Sequence, residues 1–357
     1  MEHIDKSHTV IIYNIYQDCM PKAWEIAEFL SCHQNKKIVF VDLLEFLPCF
    51  GIEPHQETVF SRYLNRIIEK NNLEVEYWNS SHSNREHDLF KNYKIELKNW
   101  PAFLMYLTRC DIEAARQSYL NTTSPQDTVS KLAICLNGKP RPHRCMLIDK
   151  IHGRGLHEYM HLSWLIRENK GCYNFQHFDN QQLVLDYDPG PDPPPHNICV
   201  PGIIIPPQTH DALFALVAET AVDHRDISEK TFMYIEAKQP FVIFGAPGIH
   251  RILKRYYGFK LYEDHIDYSF DYIGDDGLRA DRILDQLQQH QYKDYVAVKQ
   301  EMSEITEYNY QLYMDIIDSG NFVPEHVRKT SYISDIYHHD DGMQPYNFLH
   351  RTLFDKS

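Results

Sequence analysis

The sequence predicts an α/β protein built as two halves, and three observations lead there. Short β-branched runs alternate with stretches of helical periodicity, the pattern of βαβ units with parallel strands. The alternation stops at NTTSPQDT (121–128), a collection of turn formers, and then restarts. In the second half, ETAVDHRDISEKTF (219–232) concentrates Glu219, Asp223, His224, Arg225, Asp226, Glu229 and Lys230 where a strand gives way to a helix.

In the first half, TVIIYNIY (9–16) is a compact strand. PKAWEIAEFLSCH (21–33) has Ala23, Trp24, Ala27, Phe29 and Leu30 at helical spacing, with Pro21 near its start. KKIVFVDLL (36–44) is a second strand, VFSRYLNRIIEK (59–70) an amphipathic helix and LEVEYW (73–78) a third strand. Residues 79–90 read as a polar loop, and PAFLMYLTRC (101–110) as a buried element of open type. In the second half, KLAICLNG (131–138) is a strand and 141–155 a turn into a helix. The Pro-rich 183–207 reads as an extended surface loop. Then follow a strand at 211–218, a helix at about 229–238 and the strand PFVIFG (240–245). GIHRILKRYYG (248–258) reads as a helix with Ile249, Ile252, Leu253 and Tyr256 on one face and Gly258 as its C-cap. A long helical tract is expected over 278–318. The expected division is 1–125, 126–295 and a C-terminal helical segment with tail, 296–357.

Composition narrows the function classes. With 357 residues and 43% hydrophobic content, the chain can bury a real core. A formal net charge of −14 disfavours general affinity for nucleic acid, unless a local basic patch overrides it. Eight Cys without a CxxC pair or zinc spacing read as free thiols of a reducing compartment. The start, MEHIDKSHTVIIYNIYQD, is not a signal peptide, and no apolar run is long enough to span a bilayer. A cytoplasmic protein is expected, in a host cell if it is viral.

The charged junction has a physical reading of its own. Ser228 is a favourable N-cap for a helix starting at Glu229. The positive end of that helix, with Lys230 on its first turn and Arg225 just before the cap, suits a diphosphate. Glu229 suits vicinal hydroxyls, as on a ribose. The plainer alternative is an acidic first turn stabilising the dipole beside a solvated lysine. GAPG (245–248) is either a close-approach turn or an ordinary one. Lys254 and Arg255 read as a solvated face, HHDD (338–341) as a surface loop with ligand chemistry, and Tyr308, Tyr310 and Tyr313 as packing groups or a hinge between the halves rather than sugar platforms. GxGxxG and GxxxxGK[ST] are both absent, which removes the main support for a dehydrogenase or kinase.

FALVAETAVDHRDISEKTFMYIEAKQPFVIFGAPG (214–248) resembles the signature of α1,3-fucosyltransferases and related glycosyltransferases. Glu219 stands at the acidic strand end, Ile227-Ser228-Glu229-Lys230 is the helix-opening block, and AKQPFVIFGAP follows. GFKLYEDHIDYSFD (258–271) is similar to the tail of exostosin-like and viral or bacterial enzymes of this type. LNGKPRPHRCMLIDKI (136–151) resembles the first strand and helix of their nucleotide-sugar domain, with Arg144 where an Arg reaches the diphosphate. Thr220 and Ser228 depart from the usual Asn and Thr, and the likeness covers roughly 130–275.

The resemblance implies a GT-B-type fold, two Rossmann-like domains facing a cleft, with C-terminal helices. It implies an inverting transfer from a nucleoside-diphosphate sugar, GDP-fucose or another, to a hydroxyl acceptor on a glycan. No metal or other cofactor is implied beyond the sugar nucleotide as co-substrate. Arg144, Glu219, Arg225, Ser228, Glu229 and Lys230 become the donor-site candidates. A general base belongs to the N-terminal half, where Asp18, Asp42 and Glu45 follow predicted strands. The alternatives are a viral glycosyltransferase acting on a hydroxymethylated DNA base, and a nucleotide-sugar-binding protein without activity.

Overall fold

The computed structural model describes residues 10–15, 23–42, 57–79, 91–99, 128–138, 140–164, 173–185 and 206–319, except 224 and 226. The chain divides into two compact units, Met1–Arg109 with Ser319–Ser357, and Cys110–Asp318.

The first unit holds a four-stranded parallel sheet. Its strands β1 (Val10–Ile15), β2 (Lys37–Asp42), β3 (Glu74–Asn79) and β4 (Glu96–Asn99) lie side by side in chain order. Parallel neighbours need crossovers, and α1 (Ala23–Ser31) and α2 (Glu57–Lys70) supply two of them. The two helices pack against each other. Ile26 and Leu30 of α1, Leu64 and Ile68 of α2, and the alternating pairs Ile38/Phe40 and Val75/Tyr77 form one buried cluster. The helical and strand periods of those positions are what bring the apolar faces together. The polar edge is tied as well: Lys37 Nζ spans β2 and β3, 2.7 Å from Glu74 and 2.8 Å from Glu76.

The second unit holds another parallel sheet, of β5 (Lys131–Asn137), β6 (Met160–Trp164), β7 (Ala212–Ala218) and β8 (Phe241–Phe244). The order is β6-β5-β7-β8. The chain therefore steps from β5 to one side, then crosses back to the other. All seven residues of β7 and all four of β8 are buried, which is why both read as continuous apolar runs. Helix α3 (Pro142–Gly153) leads from β5 towards β6, and α4 (Glu229–Glu236) joins β7 to β8. The strands β4 and β6, ELKN and MHLSW, were not among those expected from the sequence.

After β8 come α5 (Ile249–Ile252), a π-helical turn (Leu253–Tyr257), α6 (Asp276–Gln288), α7 (Tyr295–Glu301) and α8 (Ser303–Ser319). The π turn alters the expected helix face. Ile249 and Leu253 are buried, but Tyr256 points largely to solvent, because an i→i+5 turn rotates later residues off a 3.6-residue stripe. Gly258 ends the turn at φ 85°, the left-handed C-cap read from the sequence. The helical tract expected over 278–318 consists of three helices, and Asp294 starts α7 afresh with its side chain accepting from Ala297 N–H. Ala280, Ile283, Leu284 and Leu287 give α6 its buried stripe. Lys150 and Arg154 of α3 pair with Asp281, and Arg154 also with Asp285. Helices α7 and α8 lie within the second unit except for the final Ser319. Tyr313 is fully buried and stacks on Phe232, 6.0 Å between centroids, the packing role read for it. No helix among the described residues is long and apolar enough to cross a membrane.

Candidate functional site

The reversal of strand order falls between β5 and β7. In open parallel sheets the crossovers diverge at such a point and leave a crevice beyond the carboxyl ends. Asn137 closes β5 and Glu219 follows β7, so the start of α3 and the segment 219–231 both begin at this edge. Three side chains from the start of α3 fasten onto the end of β7. Arg141 Nη1 donates to the Thr220 carbonyl at 2.7 Å. His143 Nε2 donates to the Glu219 carbonyl at 2.9 Å. Arg144 Nη2 donates to the carbonyls of Ala218 at 3.1 Å and Glu219 at 3.0 Å. Burial pushes the His143 imidazole down to about 4, and the neighbouring Arg144 and Arg141 add to the effect. His143 is therefore a neutral donor near pH 7.

The first turn of α4 is organised by Glu219. This side chain is 0% exposed. Its Oε1 accepts from Ser228 N–H at 3.1 Å and from the Thr231 hydroxyl at 2.7 Å. Ser228 is the N-cap, its Oγ accepting from Lys230 N–H at 3.3 Å. A protein carboxylate thus occupies part of the positive end of α4, where the sequence suggested a ligand's anion. Lys230 is half-buried, with Nζ 3.4 Å from both Thr220 Oγ1 and Ser228 Oγ. In contrast, α3 starts at Arg141 with no side-chain cap among the described residues and no acid in its first turn.

Arg225 reaches the GAPG turn, its Nε donating to the Pro247 carbonyl at 2.6 Å. Gly248 there has φ 85°, a backbone that favours glycine, and a Cβ would stand 3.3 Å from Arg225 Nε. The approach that the turn permits is that of a guanidinium from the same chain.

Of the donor-site candidates, Arg144, Glu219, Ser228 and Lys230 share one hydrogen-bonded cluster, with Arg225 beyond it at the GAPG turn. Glu229 opens α4, but its side chain lies outside the described residues, as do His224 and Asp226. The base candidate Asp42 closes β2, at the carboxyl edge of the first sheet, its side chain also undescribed. Asp18, Glu45 and HHDD (338–341) lie outside the described residues. Arg141 and His143 were missed as site residues, and their only sequence signal was a basic stretch around a helix-opening Pro142. Asn137 Oδ1 is buried at the same edge without a hydrogen-bond partner among the described residues. Among those residues, too, no group of three or more His, Cys, Asp or Glu is placed to hold a metal ion. In comparisons with known proteins, no family model matches the chain and no curated protein matches it.

Proposed function

We propose that the chain is an inverting glycosyltransferase that moves a sugar from a nucleoside-diphosphate sugar to a hydroxyl acceptor on a glycan. The proposal includes a GT-B arrangement, with the second unit binding the donor. One observation supports it above the others: Arg141 and Lys230 both reach Thr220 at the strand-order reversal, with Arg225 at the neighbouring GAPG turn, near a helix start with no side-chain cap among the described residues. A diphosphate is a ligand of matching charge for that edge.

In this reading the acceptor oxygen attacks the anomeric carbon opposite the leaving diphosphate. The bond from that carbon to the phosphate oxygen breaks, and the acceptor's proton passes to a carboxylate base of the N-terminal half, for which Asp18, Asp42 and Glu45 are the candidates. Negative charge grows on the departing diphosphate, and the fixed cations and the start of α3 stabilise it without reorganising. Buried Glu219 and Arg144 act one step back, holding Ser228, Thr231 and the end of β7 in place.

The test is a thermal-shift panel of GDP-, UDP-, dTDP- and CMP-sugars. A donor at about 100 times its Kd adds about 2.7 kcal/mol to the folded state, so the matching nucleotide stands out. Lys230→Ala should abolish that shift. A shift unchanged in the variant removes Lys230 from the site, and no shift with any sugar nucleotide ends the reading.

A further inference from the structure

A second set of basic side chains on the same unit is not used by that reading. The turn of α5 and the π turn after it form one wall of a groove of about 540 Å³, and residues 261–272 form the other. Arg251, Lys254 and Arg255 line the first wall, and Glu263, Asp267 and Asp271 the second. Formal charges cancel, but the fold already uses the acids. Asp271 accepts from His250 Nδ1 at 2.9 Å and from the backbone N–H groups of His250 and Arg251 at 3.3 and 3.2 Å. Asp267 accepts from Ser269 N–H and Oγ–H, both at 2.9 Å. Glu263 holds Lys254 Nζ with both oxygens at 2.7 Å. Arg251 and Arg255 have no ion-pair partner among the described residues.

Two further features point to an anion. Arg251 lies over the ring of Tyr272 at 5.6 Å, and that ring is 67% exposed, a flat surface beside a guanidinium. Arg251 and Arg225 also flank Gly248: a Cβ there would meet Arg225 Nε at 3.3 Å and Arg251 Nη2 at 3.5 Å. Two guanidinium groups thus stand beside one glycine. The planar fork of arginine matches phosphate oxygens in pairs.

We propose that this groove binds a phosphate-bearing small molecule, anchored by Arg251 and Arg255 and separate from the Lys230 edge. The probe is inorganic pyrophosphate, titrated calorimetrically at low ionic strength into the full chain. The unsubstituted protein binds it, and the double variant Arg251→Gln/Arg255→Gln weakens binding by about tenfold or more. Lys230→Ala keeps the arginine-dependent binding step; any separate step that this variant removes belongs to the sugar-nucleotide edge. Both arginine substitutions are at the surface of the groove, and equal melting temperatures without ligand establish that the variants are folded; Arg251→Lys/Arg255→Lys, keeping charge without the fork, should fall between the two. No binding by the unsubstituted protein, or equal binding by the double Gln variant, overturns the proposal. Loss of all binding in Lys230→Ala, with binding by the double Gln variant intact, also overturns it, because the ion would then sit only at the sugar-nucleotide edge; that result leaves the glycosyltransferase reading standing. Conversely, sugar nucleotides that never shift the melting point end that reading without touching the groove.

Discussion

Replacing Glu219 separates a buried structural carboxylate from one that serves a ligand. The side chain is fully buried, and its Oε1 takes two donors, Ser228 N–H and the Thr231 hydroxyl. Glu219→Ala strands both inside the start of α4. Each unsatisfied donor costs about 1–3 kcal/mol, and relief from holding a buried charge offsets part of it, so the net loss is about 3 kcal/mol. Glu219→Gln keeps an acceptor at the same place and loses only the charge facing the helix end, a loss of about 1 kcal/mol. The expected order of stability is therefore Glu, then Gln, then Ala. Urea unfolding followed by far-ultraviolet circular dichroism measures the totals, and hydrogen exchange at the Ser228 amide reports the local opening. An alanine variant within about 0.5 kcal/mol of the unsubstituted protein, the range of ordinary surface changes, would refute the capping role. Should that variant instead keep its stability and lose sugar-nucleotide binding, Glu219 would belong to the ligand.

Two further outcomes follow from buried titratable groups. His143 is held at about 4 in the fold, against about 6.5 in an unfolded chain. Between those values the unfolded chain binds the extra proton, so the contribution is full above about pH 6.5 and is lost as pH falls towards 4, by roughly 3 kcal/mol. Urea titrations from neutral to acid pH should show that slope reduced in His143→Gln, and an identical slope in both proteins would contradict it. Asp149 accepts from the backbone N–H groups of Gln176, His177 and Phe178 at 2.7–3.1 Å. Burial alone would raise its carboxyl, but those three donors outweigh burial and hold it below the usual range. Its contribution is present above the unfolded value and lost as pH falls through the lower folded one. Asp149→Asn should cost about 2 kcal/mol and speed hydrogen exchange at the three amides, and unchanged exchange would count against it.

Local pattern was enough for much of this protein. The apolar runs at 131–137 and 212–218 could only be buried strands, Ser228 before Glu229 was a helix start, and Gly258 a helix end. Each is settled within a few residues of chain, by side-chain periodicity or by a cap. What was illegible is non-local. MHLSW carries no strong strand pattern, yet its pairing with β5 creates the reversal that defines the candidate site. Arg144 looked like a phosphate ligand, and its described hydrogen bonds are to carbonyls 74 and 75 residues away. Glu219, a donor-site candidate at the end of its strand, is buried by the start of α4, which folds back on it. A sequence specifies which groups can donate or accept; only the packed chain decides which partners reach them first, because leaving a buried polar group unpaired is costly and most of them find one.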